Sequence, residues 1–247
     1  ANKIDAPRDL YIADGKVVGV GSAPDAFTAA RTIDASGLVV APGLIDLAAR
    51  LREPGFEYKA TLESEMDAAM AGGVTSLAIP PDTDPVLDEP GLVEMLCYRA
   101  KKLNRAHVYP VGALTIGLKG EQLSEMAELV EAGCVAFSQA NTPILDTRVL
   151  SRAMQYAATF GFRVWLQPLD PYLARGGVAH DGEVASRLGL PGIPASAEIV
   201  ALYTYLRLAR QTGARLHITR LSCAESLDLI EQARKDGVDV SCDVACN

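Results

Sequence analysis

The sequence lacks the features of nucleic-acid-binding and membrane proteins. Its 23 lysine and arginine residues against 31 acidic ones give a net charge of −8, so no basic footprint favours a nucleic acid or an anionic membrane as partner. No apolar run approaches the roughly 18 residues that span a bilayer. The composition, 49% hydrophobic and 22% charged, is too apolar for disorder. We therefore expect a soluble globular protein.

Cysteine is also scarce, and its five residues follow no pattern. They are Cys97, Cys134, Cys223, Cys242 and Cys246. An odd number in a chain of this size predicts free thiols in a reducing compartment. Because no targeting segment opens the sequence, we expect a cytoplasmic protein.

Histidine is scarcer still. His107, His180 and His217 match no metal-ligand spacing. His107 and His217 fall in predicted strands, which indicates structural positions, whereas His180 lies in a long predicted loop.

The first 43 residues carry the pattern of a small β-module. Alternating strands at residues 9–13 and 16–20 flank the turn dipeptide Asp14-Gly15, which predicts a hairpin. Two further short strands are predicted at residues 31–34 and 38–40.

From residue 44 to residue 247, short apolar strands alternate with helical stretches, which is typical of a parallel α/β sheet. Seven strands are predicted, at residues 44–47, 74–79, 107–111, 135–138, 163–166, 215–219 and 238–244. Most steps between them have the length of one βα unit, which favours a TIM-like (β/α)8 barrel. Since such a barrel needs eight strands, we expect it to be incomplete here and the sequence to be part of a longer protein.

Three helices have recognisable ends. Thr61 can cap a helix that runs through Met70, Pro90 starts one that ends near Leu103, and Ser196 opens one that stops at Gly213.

In a βα barrel, the active site is built from residues at the carboxyl ends of the strands. No histidine stands at these positions, and Asp82 is their single carboxylate. Motifs for dinucleotide binding, for a phosphate loop and for a serine nucleophile are absent. The residues alone therefore predict a chemically poor barrel mouth.

Several blocks nevertheless closely resemble dihydroorotases of the amidohydrolase superfamily, across the whole chain. They are Pro-Gly-Leu-Ile-Asp-Leu at 42–47, Leu-Arg-Glu-Pro-Gly at 51–55, Pro-Asp-Thr-Asp-Pro at 81–85, Leu-Gly-Leu-Pro-Gly-Ile-Pro at 188–194, His-Ile-Thr-Arg-Leu-Ser at 217–222 and Cys-Asp-Val at 242–244. The resemblance implies an amidohydrolase-type barrel.

The resemblance also implies a metal pair held after strands one, four, five and six, yet every matching position here carries a different residue. These positions are Ala48, Arg50, Gln139, Gln167 and Arg220. Guanidiniums have no lone pair to donate, and neutral amides alone are weak ligands. We therefore expect no metal cofactor and no catalytic residues. Without metal, the family's activated water is lost.

Two further residues match the substrate-binding positions of the resembled family. Arg52 matches the arginine that binds the substrate carboxylate, and Asp82 stands where the family has asparagine. An aspartate there would repel a carboxylate, so we expect these residues to be vestigial and Arg52 to pair with Asp82 or another acid.

Three interpretations follow. In its lost ligands, the chain resembles the noncatalytic dihydroorotase-like chain that accompanies aspartate carbamoyltransferase in some bacteria. This implies a homodimer that supports assembly or stability of the carbamoyltransferase catalytic chain in pyrimidine biosynthesis. The alternative is a divergent cyclic amidohydrolase, either metal-free or with a relocated site near His180 and Asp181. The third is a binding module that uses Arg50, Arg52 and Arg220 as an anion pocket.

A guanidinium that is partly buried needs a carboxylate, a bound anion or ordered water. We therefore expect at least one of Arg50 and Arg220 to contact a carboxylate, with Asp82, Asp170 and Asp243 as candidates.

Overall fold

The computed structural model describes residues 6–244, and the chain divides into two units between Pro42 and Gly43. In the first unit, β1 (Leu10–Ala13) and β2 (Lys16–Val20) pair antiparallel. Asp14 and Gly15 between them have φ of 49° and 71°, which is the backbone that a type I′ turn requires. The predicted hairpin is confirmed.

The two further strands predicted in this unit are wrong. Residues 31–34 and 38–40 form no strand, and the side chains of Ile33 and Val39 are 73% and 93% exposed. Their β-branched composition favours a strand, but no segment among the described residues pairs with them. A strand needs both a neighbour and a surface to pack on.

The second unit is built on a sheet of seven parallel strands that lie in chain order. The strands are β3 (Leu44–Asp46), β4 (Val74–Ile79), β5 (His107–Ala113), β6 (Ala136–Ser138), β7 (Arg163–Leu166), β10 (Arg215–Leu221) and β11 (Val240–Val244). Each lies within two residues of its predicted bounds. In the long loop after β7, β8 (Ala179–His180) and β9 (Gly192–Ile193) form a separate pair.

Helices alternate with these strands, so the expected incomplete α/β barrel is confirmed. They are α1 (Leu62–Ala71), α2 (Pro90–Leu103), α3 (Met126–Ala132), α4 (Thr147–Phe160), α5 (Glu183–Leu188), α6 (Ala195–Thr212) and α7 (Ala224–Lys235). Thr61 caps α1 as predicted, since its hydroxyl accepts the N–H of Ser64 at 3.2 Å. The helix predicted from Ser196 begins one residue earlier. Within residues 6–244, no helix is long and apolar enough to cross a membrane.

Four of the cysteines are free thiols, as predicted. They are Cys97, Cys134, Cys223 and Cys242, while Cys246 lies outside the described residues. Burial raises the pKa of the Cys134 thiol to about 12, so that this group stays protonated at neutral pH.

The core of the second unit forms where the helices cover the sheet, and Phe137 on β6 is fully buried in it. Gly112 on β5 lies opposite Phe137, and a Cβ atom there would stand 2.8 Å from the Phe137 ring. Gly112→Ala should therefore overpack the core and lower the free energy of unfolding by about 1 to 2 kcal/mol. Gly91→Ala in α2 is the matched control, because a Cβ atom there meets open space.

Urea unfolding of both variants checks this prediction. An equal stability of Gly112→Ala and Gly91→Ala would contradict it.

Candidate functional site

The carboxyl ends of the parallel strands bring five polar side chains together. We call this group the arginine cluster, and it consists of Arg50 after β3, Asp82 after β4, Asn141 after β6, Gln167 after β7 and Arg220 in β10. Parallel strands in chain order end at one edge, which places residues from distant parts of the sequence side by side.

Hydrogen bonds link the cluster into one chain. Arg50 donates from Nε to Asp82 Oδ2 at 2.8 Å and from Nη2 to Asn141 Oδ1 at 3.3 Å. Arg220 donates from Nη2 to the same Asn141 oxygen at 2.6 Å and to Gln167 Oε1. The prediction that at least one arginine contacts a carboxylate is confirmed by the ion pair of Arg50 and Asp82.

The other two candidate carboxylates have different roles. Asp243 accepts the backbone N–H of Arg220 at 2.7 Å and the Nε2–H of His217 at 3.0 Å. Asp170 accepts the backbone N–H groups of Tyr172 and Leu173, both at 2.9 Å, and so closes a turn of the long loop. Neither carboxylate pairs with a guanidinium of the cluster.

The backbone at the strand ends is strained. Arg52, Ala140 and Arg220 have φ of 64°, 50° and 58°, which side chains other than glycine adopt at a cost. Arg220 also lies where the register of β10 against β11 shifts. The Asp243 carboxylate accepts the Arg220 N–H and so holds this conformation. A strand irregularity of this kind changes the direction in which a side chain points.

Three of the predicted site residues lie outside the hydrogen-bonded chain. Gln139 is 2% exposed and exchanges hydrogen bonds with Thr115 at 2.8 and 3.1 Å. Ala48 donates its N–H to Asp46. Arg52 is exposed and forms no ion pair with Asp82 or with any other acid among residues 6–244, so the expected pairing is wrong. Asp82 pairs instead with Arg50, which follows the neighbouring strand.

Sequence reasoning missed two residues. Asn141 joins the two guanidiniums, although it belongs to no motif and lies three residues after the end of the strand predicted at 135–138. Glu53 is buried, accepts the N–H of Leu62 at the start of α1 at 2.7 Å, and pairs with Arg99 of α2. Its place in the Leu-Arg-Glu-Pro-Gly block was the only available signal.

Two clefts flank the cluster. One is lined by Arg50, Arg52, Asp82 and Thr83, and the other by Asn141 and Gln167 with apolar neighbours. Each cleft therefore places polar groups beside apolar side chains, and neither is lined by both Arg50 and Arg220.

The donor set does not fit a divalent cation. Burial and the neighbouring Arg50 lower the pKa of Arg220, although the guanidinium remains protonated at any working pH. Two cations repel a metal ion, Ala48 offers no donor, and the Gln167 oxygen is already bound to Arg220. Within residues 6–244, no three His, Cys, Asp or Glu side chains come together as ligands.

A family model described as Dihydro-orotase-like matches residues 37–226. The chain belongs to this family. A dihydroorotase-like protein of Pseudomonas aeruginosa is 49% identical over 99% of this chain, and a dihydroorotase of Pelotomaculum thermopropionicum is 44% identical over 99%. The chain spans only 58% and 57% of the lengths of these two relatives.

Solved structures agree on the fold. An L-hydantoinase from Arthrobacter aurescens superposes with a TM-score of 0.79 at 21% identity, over 96% of this chain and 54% of that one. A dihydroorotase from Saccharomyces cerevisiae superposes with a TM-score of 0.59 at 16% identity, over 83% of this chain and 57% of that one. At these identities, the likeness concerns the fold alone.

Proposed function

We propose that this dihydro-orotase-like chain is a noncatalytic subunit that supports assembly or stability of aspartate carbamoyltransferase in pyrimidine biosynthesis, in the cytoplasm and as a homodimer. The observation that carries the proposal is the hydrogen-bonded arginine cluster at the strand ends. Arg50 and Arg220 lie at positions where the family implies metal ligands, and both are held by partners that follow other strands.

The chemistry of these side chains supports the absence of hydrolase activity. A metal-dependent amidohydrolase needs a Lewis acid and an activated water at this place, and two guanidiniums supply neither. If the chain keeps the fold of the family without the hydrolase reaction, its surface is the part that can serve a function, by binding another protein. The choice of partner rests on the resemblance, in the five replaced ligand positions, to noncatalytic dihydroorotase-like chains that accompany carbamoyltransferases.

Co-expression with the aspartate carbamoyltransferase catalytic chain of the same organism tests the partner. With an affinity tag on the carbamoyltransferase alone, the untagged chain should co-elute in a fixed ratio and should increase the yield of active carbamoyltransferase. A bona fide metal-dependent dihydroorotase without such a partner serves as the control. Elution of the two proteins as separate species would contradict the proposal.

The second candidate is a divergent cyclic amidohydrolase with a metal-free or relocated site. The names of relatives that are 44% and 41% identical favour it, because both are called dihydroorotase. Dihydroorotate hydrolysis by the full chain, measured with and without added zinc, distinguishes the two candidates. Activity above the uncatalysed rate would favour the hydrolase.

Restoring the expected ligands should not restore the full reaction. We expect the combined variant Ala48→His, Arg50→His, Gln139→Asp, Gln167→His and Arg220→His to stay at least about tenfold slower than a metal-dependent dihydroorotase. Ligands must be held by partners suited to a metal, whereas position 139 faces Thr115 and Asp82 would repel a carboxylate substrate. Zinc-dependent hydrolysis at the rate of the natural enzyme would refute this prediction.

A further inference from the structure

The guanidinium of Arg220 lacks a counter-ion in the described part of the chain. Its two side-chain hydrogen bonds go from Nη2 to the neutral amide oxygens of Asn141 and Gln167. No carboxylate of residues 6–244 forms an ion pair with it, and the side chain is half-buried. A charge in this situation is costly unless an anion or water compensates it.

A second cation lies beside it. Arg50 donates to the same Asn141 oxygen, so one neutral amide separates two guanidiniums. Burial and Arg50 lower the pKa of Arg220, and the carboxylates of Asp82 and Asp243 only partly oppose this effect. Both guanidiniums therefore donate toward the same half-buried place, where an anion would interact with both of them.

The nearby carboxylates are already engaged. Asp82 accepts Arg50 Nε, while the two oxygens of Asp243 accept the Arg220 backbone N–H and His217. The Nε and Nη1 groups of Arg220 and the Nη1 group of Arg50 have no hydrogen-bond partner among residues 6–244. Donors of a guanidinium form a planar fork that matches the oxygens of a carboxylate or phosphate.

We infer that the barrel mouth binds a small oxyanion, a carboxylate or phosphate group, between the free donors of Arg220 and Arg50. The site thus takes an anion where the family implies a cation. Asn141 and Gln167 orient Arg220 for this ligand, and Asp82 orients Arg50. The inference does not rest on the carbamoyltransferase partnership.

Thermal unfolding of the full chain in sodium phosphate and in sodium acetate tests the site, with sodium chloride at equal ionic strength as reference. A ligand that binds the folded state raises the unfolding temperature in a saturable manner. We expect the unfolding temperature to rise and saturate with phosphate or acetate, and not with chloride. Comparison of phosphate with acetate shows which oxyanion is preferred. Equal curves for all three salts would overturn the inference.

Two variants and a control locate the site. Arg220→Gln removes the charge and should weaken oxyanion binding at least tenfold. Arg215→Gln is the matched control, because Arg215 lies at the opposite end of β10, half exposed and paired with Asp239. An unchanged response of Arg220→Gln would place the anion elsewhere and refute the inference.

Asn141→Asp tests the proposed oxyanion site even if Arg220→Gln fails to fold. This nearly isosteric change places a carboxylate where both guanidiniums already donate. It should raise the unfolding temperature in chloride and abolish the response to phosphate and acetate. A variant that is no more stable and still responds fully to the oxyanions would contradict the site.

Discussion

Replacement of Glu198 by alanine, which removes a carboxylate with four hydrogen bonds, should lower the free energy of unfolding by about 3 to 5 kcal/mol. Glu198 lies on α6 and is 6% exposed. Its carboxylate accepts the N–H and the hydroxyl of Ser222 at 2.9 and 2.6 Å, the N–H of Cys223 at 3.1 Å and the hydroxyl of Ser226. These donors open α7, whose cap residue Cys223 makes no side-chain capping bond. Alanine would remove the carboxylate that accepts all four of these hydrogen bonds.

Urea unfolding at neutral pH measures this effect. Glu231→Ala on α7 is the control, because the pair of Glu231 with Lys235 is exposed and its loss should cost only about 0.5 kcal/mol. If the two variants lose equal stability, the role assigned to Glu198 is wrong.

The contribution of Glu198 should also depend on pH. Burial by itself raises the pKa of this carboxyl, but hydrogen bonds from Ser222, Ser226 and Cys223 outweigh it and hold the pKa below its ordinary value of 4.5. A carboxyl whose pKa is lower in the folded state stabilises above the unfolded pKa, and this contribution is lost as the pH falls through the folded pKa. The difference between wild type and Glu198→Ala should therefore shrink below pH 4.5.

Asp82→Ala should have the second-largest effect, a loss of about 2 to 3 kcal/mol. The Asp82 and Arg50 side chains are only 27% and 25% exposed, and Asp82 is the one carboxylate paired with a guanidinium of the arginine cluster in residues 6–244. Removal of the Asp82 carboxylate leaves the positive charges of Arg50 and Arg220 close together with one negative charge fewer beside them. The expected loss is below that for Glu198 because both side chains of this pair still reach water.

Asp67→Ala provides a matched control, since it also removes an aspartate paired with an arginine Nε. The Asp67 and Arg105 side chains are 50% and 45% exposed, so this loss should be about 0.5 kcal/mol. Measurement of both variants by urea unfolding in chloride separates the two environments. A smaller loss for Asp82→Ala than for Asp67→Ala would show that the cluster does not stabilise the barrel.

Local chemistry explains why so much of the fold could be predicted. The Asp14-Gly15 turn, the Thr61 cap and the helix start at Pro90 depend on residues adjacent in the chain, and each stands where its type indicates. The strands wrongly predicted at 31–34 and 38–40 had suitable composition but no neighbour with which to pair in the described part of the chain. Pairing is a property of distant segments, so composition alone could not show its absence.

The site was predictable only in part, for a related reason. Strand ends could be located from hydrophobic patterns, which identified Arg50, Asp82 and Arg220 as neighbours at one edge. The partner of each side chain depends on where left-handed backbone changes the side chain's direction, as at Arg220. The residue type does not indicate where such backbone occurs. Asn141 could not be singled out for the same reason.

We propose that guanidiniums occupy the place of a metal centre, and the zinc content of the purified protein decides whether they do. The full chain should be produced in cells grown with added zinc, purified without chelators and measured by elemental analysis. We expect far less than one equivalent of zinc per chain. One or two equivalents of zinc that are lost on substitution of Gln139, Gln167 and Asp82 would contradict it.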